Sequence, residues 1–438
     1  MDEFKTSGGN TPKPPAPHLD TCPACAGSGL ARCENAVKVD FKKFPNVAII
    51  GGGIGGVALA VACLHRGIPF TLYERDASFD SRSQGYGLTL QQASKAIEGL
   101  GIFSLEGGIT STRHVVHTQD GKVIGEWGLR RWKIPFLEKT TKRRNVHIAR
   151  QSLRRTLLQN LGGSSSVQWG HILTGFSHND DGTVDLTFQV NGEIRTTNAD
   201  LVVGADGIRS RVRELAIGEH LTPLTYLGCI VMLGICPLDA LGGNTSPLLD
   251  SATVFQTVNG HERMYMMPFD ADTIMWQLSF PLSEQDAKEL SAQGAKAMKK
   301  EALRRLSSWH DPIPRILATT SESDITGYPV YDRELFDPAL LHKQGGVTLI
   351  GDAAHPMSPF KGQGANQAIL DALTLARKIY EECSKNSRWR EAGIRNCVLN
   401  DFEKEMAARS ASKVEGSAQA VHNLHSGAVL FEGDETRG

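Results

Sequence analysis

The chain has 438 residues, about two to three domain-lengths, enough to bury a large core. With 40% hydrophobic and 22% charged residues and a net charge of -1, it has neither the composition of a disordered chain nor the basic excess of a nucleic-acid binder. Eight cysteines spread over this length make no disulfide framework, and no secretory leader pattern stands at the front, so a reducing compartment, the cytoplasm or a similar one, is expected.

Residues 1–44 are rich in Pro and Gly and read as a flexible tail. His18, Cys22, Cys25 and Cys33 could supply four metal ligands, but a second close cysteine pair is missing, so reduced, solvated thiols are expected and no metal. The longest uncharged run, 46–64, approaches membrane-spanning length, yet it carries Gly51, Gly52, Gly53, Gly55 and Gly56. It reads instead as a strand, a turn and a helix, and no transmembrane segment is expected.

The run Asn46 to Ile50 is a buried-strand pattern followed at once by G-x-G-x-x-G, with glycines at 51, 53 and 56. An apolar helix continues from Val57, and a second strand, Phe70 to Tyr73, ends in Glu74. Gly51 would make the tight turn, Gly53 would let a pyrophosphate approach the backbone, and Gly56 would allow close helix packing. Glu74 would accept the ribose hydroxyls and repel a 2'-phosphate, which selects FAD or NAD over NADP as resident dinucleotide.

Farther on, a glycine-spaced strand (85–90) and a short helix (91–98) precede a hairpin at Asp120-Gly121. Between residues 129 and 155 ten Lys or Arg face one acid, Glu138. A solvated basic face is the simpler reading, and an attractor for an anionic cofactor or substrate the sharper one. A helix after Arg150 carries Leu153, Leu157, Leu158 and Leu161 on one face. Strands with turns at Asp181-Gly182 and Asn191-Gly192 then lead to a second carboxylate turn, Gly204-Ala205-Asp206-Gly207.

Residues 222–280 read as a β layer whose Tyr265, Met266, Met267 and Trp276 suit a core or a pocket wall. One amphipathic helix is expected over 283–309. The third carboxylate turn follows the 347–350 strand: Gly351-Asp352, then a tight segment with Gly362 and Gly364, then a helix. That helix would point its unpaired N–H groups and positive dipole end at the guest beside Asp352. A final helix is expected to run to about Leu424.

With these three turns in this order, residues 45 to 425 resemble the single-component, FAD-dependent aromatic-hydroxylase type of flavoprotein monooxygenase. The resemblance implies an α/β fold: a Rossmann-like, three-layer ββα FAD-binding domain with an inserted β-sheet substrate domain and a C-terminal helix. It divides the chain into a 1–44 tail, an FAD domain of 45–220 with 325–390, a substrate domain of 221–324, and a 391–438 helix and tail. It implies that Gly51, Gly53, Gly56 and Glu74 hold the adenosine half of FAD and that Arg150 meets the flavin side. Asp352 would bind the ribityl chain, while Gly364, Ala365 and Asn366 would present N–H groups to the pyrimidine edge. The Asp206-Gly207 turn would serve FAD and a visiting NADPH or NADH. The implied activity is hydroxylation of a small aromatic or polycyclic substrate with O2 through a flavin C4a-hydroperoxide, with no residue needed as a nucleophile. His355 reads as structural. Two other readings stay open: a flavin oxidase or dehydrogenase, and a flavin-loaded binding protein. No nucleic-acid partner is implied, and the sequence assigns no oligomeric state.

Overall fold

A computed structural model describes residues 18–22, 29–81, 85–128, 145–163, 166–242, 246–385 and 389–436. Cys25 and the 129–144 part of the basic segment lie outside the described residues. The first sheet is parallel and five-stranded, in the order Val167–Gln168, Phe70–Tyr73, Val47–Ile50, Leu201–Gly204, Val347–Leu349. Val47–Ile50 and Leu201–Gly204 are buried at every position, as unbroken apolar runs are when a parallel sheet is covered on both faces.

The helices Ile54–Leu64 and Gly364–Lys385 pack together on this sheet. An antiparallel sheet of Ile172–His178, Val184–Val190 and Glu193–Ala199 forms the third layer. Its hairpins turn where Gly182, Asn191 and Gly192 adopt positive φ. Tyr73 stacks on Phe188 at 4.5 Å and joins the two sheets. Because the five strands are parallel, Gly51, Glu74, Ala205 and Gly351 all emerge at one edge, where open α/β sheets bind ligands.

The second sheet has seven strands, in the order Ile325–Asp332, Thr225–Pro237, Thr273–Pro281, Arg263–Pro268, Thr253–Val258, Arg113–Thr118, Val123–Trp127. Two of these strands precede residue 221 and one follows residue 324, so the sheet reaches beyond the segment the sequence assigned to it. The parallel pairing of 253–258 with 113–118 is a long-range contact that no local pattern announces.

One face of this sheet, with Met264, Met266, Trp276 and Leu278, packs on the helices Glu284–Gln293, Ala295–Leu306 and Ile313–Thr319. The expected single 283–309 helix is broken at Gly294, whose φ of 81° cannot continue an α-helix. The other face carries Val231, Leu233, Met267 and Met275 and meets the C-terminal helix Asn400–Leu424 at Ala420, Val421 and Leu424.

The expected flexible tail is corrected in part. His18–Thr21 pairs antiparallel with Leu30–Cys33, Leu19 is buried, and Thr21 Oγ1 lies 2.9 Å from the Tyr380 hydroxyl. Among the described residues no His/Cys/Asp/Glu group is arranged to hold a metal, and no helix is long and apolar enough to cross a membrane.

Candidate functional site

The first turn is shaped by what a side chain would hit. Gly51 has φ 111°, and a Cβ there would lie 2.5 Å from Ala205 O. At Gly56 a Cβ would come within 1.9 Å of Gly51 O, so only glycine lets the helix approach the strand. Gly53 differs: a Cβ would meet nothing closer than Arg150 Nη2 at 4.0 Å, because this residue faces a cavity. Gly51, Gly56 and Glu74 stand behind the cavity wall. Glu74 is buried, and its carboxylate accepts from Gly52 N at 2.8 Å and from Asp76 N at 3.0 Å. Arg154 completes this corner, donating from Nε to Gly52 O at 2.6 Å and standing 3.9 Å from Glu74.

Asp206 is turned away from the cavity. Its carboxylate accepts from the Ser210 hydroxyl and from the N–H groups of Arg211, at 2.7 Å, and Val212, at 3.2 Å. It thereby caps the Arg211–Ile217 helix. Burial pushes its carboxyl pKa up against the pull of these donors. The neighbours Ala205, Gly207, Ile208 and Arg209 line the cavity instead.

The Gly351-Asp352 turn is held from three directions. Asp371, on the Gly364–Lys385 helix, accepts from Gly351 N at 2.8 Å, from His355 Nε2 at 2.7 Å and from Arg409 Nη2 at 2.8 Å. Burial disfavours charge on both His355 and Asp371, but their mutual attraction prevails: the histidine pKa is raised and the carboxyl pKa lowered. From the other side Arg213 Nη1 donates to Ala353 O and Ala354 O at 3.0 and 2.9 Å. Asp352 is left exposed to the cavity, ringed by protein that raises its carboxyl pKa by desolvation, with His355 and Arg150 partly offsetting it.

Gly364 and Ala365 line the cavity at the start of their helix, and a Cβ at Gly364 would lie 3.3 Å from Asp352 Oδ1. Asn366 is fully buried. Its side-chain oxygen accepts from Gln91 N and Ala93 N, and its amide donates to Thr89 O and Gly362 O. One side chain thus fixes the turn against the Gly87–Leu90 strand. Arg150, the first residue of the Arg150–Asn160 helix, also lines the cavity, its guanidinium 5.9 Å from the Tyr86 ring centre.

The cavity has a volume of about 790 Å³ and lies between these turns and the seven-stranded sheet. Strand alternation sorts the residues that sequence left between core and wall. Tyr265 and Met267 line the cavity, while Met266 and Trp276 lie in the core on the opposite face. Gln256, Arg263, Met275 and Gln277 share the cavity face. Sequence reasoning missed Arg213, Arg263 and Arg409, which no local motif marks.

The structure therefore gathers Gly53, Arg150, Asp352, Gly364 and Ala365 on one cavity, with Gly51, Gly56, Glu74, Asp206 and Asn366 supporting its wall. A glycine facing open space, a helix start and a carboxylate along one edge fit an elongated dinucleotide with an electron-rich ring.

The model of the FAD-binding domain family matches residues 45–392. Among curated proteins, the chain is 27% identical over 350 residues to a 6-hydroxynicotinate 3-monooxygenase of Pseudomonas fluorescens, covering 78% of this chain and 84% of that protein. It is 29% identical over 333 residues to an aurachin C monooxygenase/isomerase of Stigmatella aurantiaca, covering 76% and 79%. Among solved structures, HpxO from Klebsiella pneumoniae complexed with FAD and uric acid superimposes with a TM-score of 0.69 at 22% identity, covering 87% of this chain and 89% of that one, a likeness of fold. The match over most of the chain, together with the three glycine turns on one sheet edge, means that this protein belongs to the FAD-binding-domain family of flavoproteins, of the single-component aromatic-hydroxylase type.

Proposed function

We propose that the protein is an FAD-dependent monooxygenase that uses NADPH or NADH and O2 to hydroxylate a small aromatic or polycyclic substrate. The observation that carries this reading is the single cavity shared by the cofactor turns and a separate β-sheet wall. Such a cavity lets a second molecule sit against the cofactor's ring, and the similar curated proteins are named as monooxygenases. FAD, when bound, supplies the oxygen chemistry, and the protein contributes binding, orientation and exclusion of water.

In this proposal Gly51, Gly53, Gly56 and Glu74 hold the adenosine half, Arg150 meets the flavin side, and Asp352 binds the ribityl chain. Gly364, Ala365 and Asn366 direct their N–H groups at the pyrimidine edge, where the helix dipole stabilises negative charge by up to about 2 kcal/mol. Asp206 acts through its backbone, holding Gly207 to Arg209 at the cavity. The basic 129–155 segment, of which Arg150 lines the cavity while Arg154 is committed to Gly52 and Glu74, steers the anionic nicotinamide cofactor.

Turnover with labelled O2 tests the reading, using phenolic and polycyclic compounds that stimulate NAD(P)H consumption. Label in the product is expected. Reduction of the flavin by NAD(P)H without incorporation would leave an oxidase or dehydrogenase, and a flavin that NAD(P)H cannot reduce would leave a binding protein.

A further inference from the structure

The cavity is longer than a cofactor ring with one small ring against it requires. Every strand of the seven-stranded sheet lines it, from Tyr328 and Tyr331 on one edge strand to His114 and Trp127 at the other side. That span is six strand spacings, on the order of 29 Å. The cofactor turns meet it along the first four strands of the sheet order. On the first, burial raises the Tyr328 hydroxyl pKa, with Tyr86, Arg150 and Asp352 close enough to act on it too. On the fourth, the Arg263 guanidinium lies 5.7 Å from the ring centre of Phe360, which belongs to the turn ahead of Gly362 and Gly364.

Beyond the fourth strand the lining changes character. His114 and Trp127, register partners on the sixth and seventh strands, stack with ring centres 5.4 Å apart and planes 6° from parallel. His147, on the strand Val146–Ala149, also lines the cavity, near enough to His114 to respond to its charge. Burial draws the His114 pKa down to about 4 and the His147 pKa down to about 3, so both rings are neutral at neutral pH. His147 Nδ1 lies 3.0 Å from Thr89 Oγ1, and its buried Nε2 has no hydrogen-bond partner. Such an atom costs stability unless a ligand meets it. The charged residues lining the cavity, Arg150, Arg209, Arg263, Lys288, Lys361 and Asp352, all lie outside the last three strands and outside 145–147. Residues 431–436 border this outer end. Gly433 N donates to Ile124 O at 2.9 Å and Asp434 accepts from Glu126 N at 3.0 Å, both on the edge strand, and Thr436 lines the cavity.

We propose that this outer end is a second subsite, which holds an uncharged flat ring of an elongated substrate while the reacting part lies against the cofactor. The Trp127–His114 pair takes the ring by stacking. His147 Nε2 meets a hydroxyl on it, a group that can donate or accept and so suits either tautomer of a neutral imidazole. An ionised group would leave water for an end that offers no countercharge. The inference rests on the function proposed above and adds to it that the substrate has two parts, of which the inner one is oxidised and the outer one anchors.

The test is a titration of the FAD-loaded protein with phenol, 4-phenylphenol and 4-benzyloxyphenol, followed by the shift of the flavin absorbance band. The two longer probes carry a second ring at different reach, and the better of them should bind about tenfold tighter than phenol or more, the worth of burying one ring. Trp127→Ala should bring that probe to within about threefold of phenol while phenol itself changes by less than about twofold, and Trp127→Phe should keep most of the preference. Trp127→Leu, which fills space without a ring face, replaces the alanine variant if that protein fails to hold FAD. A hydroxyl on the second ring, as in 4,4'-dihydroxybiphenyl, should add about fivefold over 4-phenylphenol, and His147→Phe should remove that gain alone. The proposal is overturned if neither longer probe binds tighter than phenol, or if the preference survives loss of the indole. A second hydroxyl without effect would remove His147 from the subsite. Since binding is read without turnover, a Trp127-dependent preference without oxygen incorporation would defeat only the proposed function. Labelled oxygen in a one-ring substrate, with no such preference, would defeat only this inference.

Discussion

Asp352 and Asp371 are neighbours in space with opposite duties. Asp352 faces the cavity with no hydrogen-bonded protein partner among the described residues, while Asp371 spends its carboxylate on Gly351, His355 and Arg409. Asp352→Ala should therefore fold normally and lose FAD during purification, with affinity reduced about tenfold or more. The ratio of flavin to protein absorbance measures it, and a variant retaining full yellow colour would contradict the ribityl role. Asp371→Asn breaks a buried charged network and should cost about 3–5 kcal/mol in denaturant unfolding.

The buried His355–Asp371 pair predicts a pH profile. Folding raises the His355 pKa, so its contribution is complete below the ordinary 6.5 and is lost as pH climbs through the folded value. Folding lowers the Asp371 pKa, so its contribution is complete above the ordinary 3.8 and is lost as pH falls through the folded value. The gap in melting temperature between the intact protein and His355→Gln should be widest between these values and narrow toward alkaline pH. A gap that grew with pH would mean that His355 is neutral.

At the scale of elements, the glycine turns separate residues that shape the fold from those that admit the cofactor. Gly56→Ala forces a Cβ against Gly51 O and should destabilise the protein with or without FAD, by about 3 kcal/mol, the upper end of overpacking costs. Gly53→Ala faces open space, so the FAD-free protein should change by less than about 1 kcal/mol while FAD retention falls. Thermal melts of both variants, loaded and stripped, check the contrast. These turns were legible because each is local: strand, glycines and helix lie within a few residues of one another. The 283–309 helix was misread as continuous because its apolar period runs on either side of Gly294, and periodicity does not report one left-handed residue. Asp206 shows the same limit. Its place after a strand was plain, whereas its use as a helix cap depends on where Ser210, Arg211 and Val212 turn.

At the scale of the molecule, two sheets of different origin enclose one cavity, and a ligand spanning their junction should stabilise the whole. At a thousandfold excess over Kd, FAD adds about 4 kcal/mol, so the loaded protein should melt several degrees above the stripped one in circular dichroism. An unchanged midpoint would mean that FAD contacts do not depend on the folded sheet edge. The α/β architecture was readable through the family resemblance that the three turns carry. The membership of 113–118 and 123–127 in the seven-stranded sheet was not, because it rests on pairing across more than a hundred residues.

The strand order of the parallel sheet has one more consequence, for synthesis. Val47–Ile50 is central, flanked by Phe70–Tyr73 on one side and Leu201–Gly204 on the other. The first neighbour leaves the ribosome soon after it, but the second follows only on the order of ten seconds later at usual elongation rates. For that interval an edge of bare apolar backbone, Val-Ala-Ile-Ile, has no partner of its own and is open to pairing with another nascent chain. Yield in a cell should thus depend on chaperone supply and elongation rate more than on the stability of the finished protein.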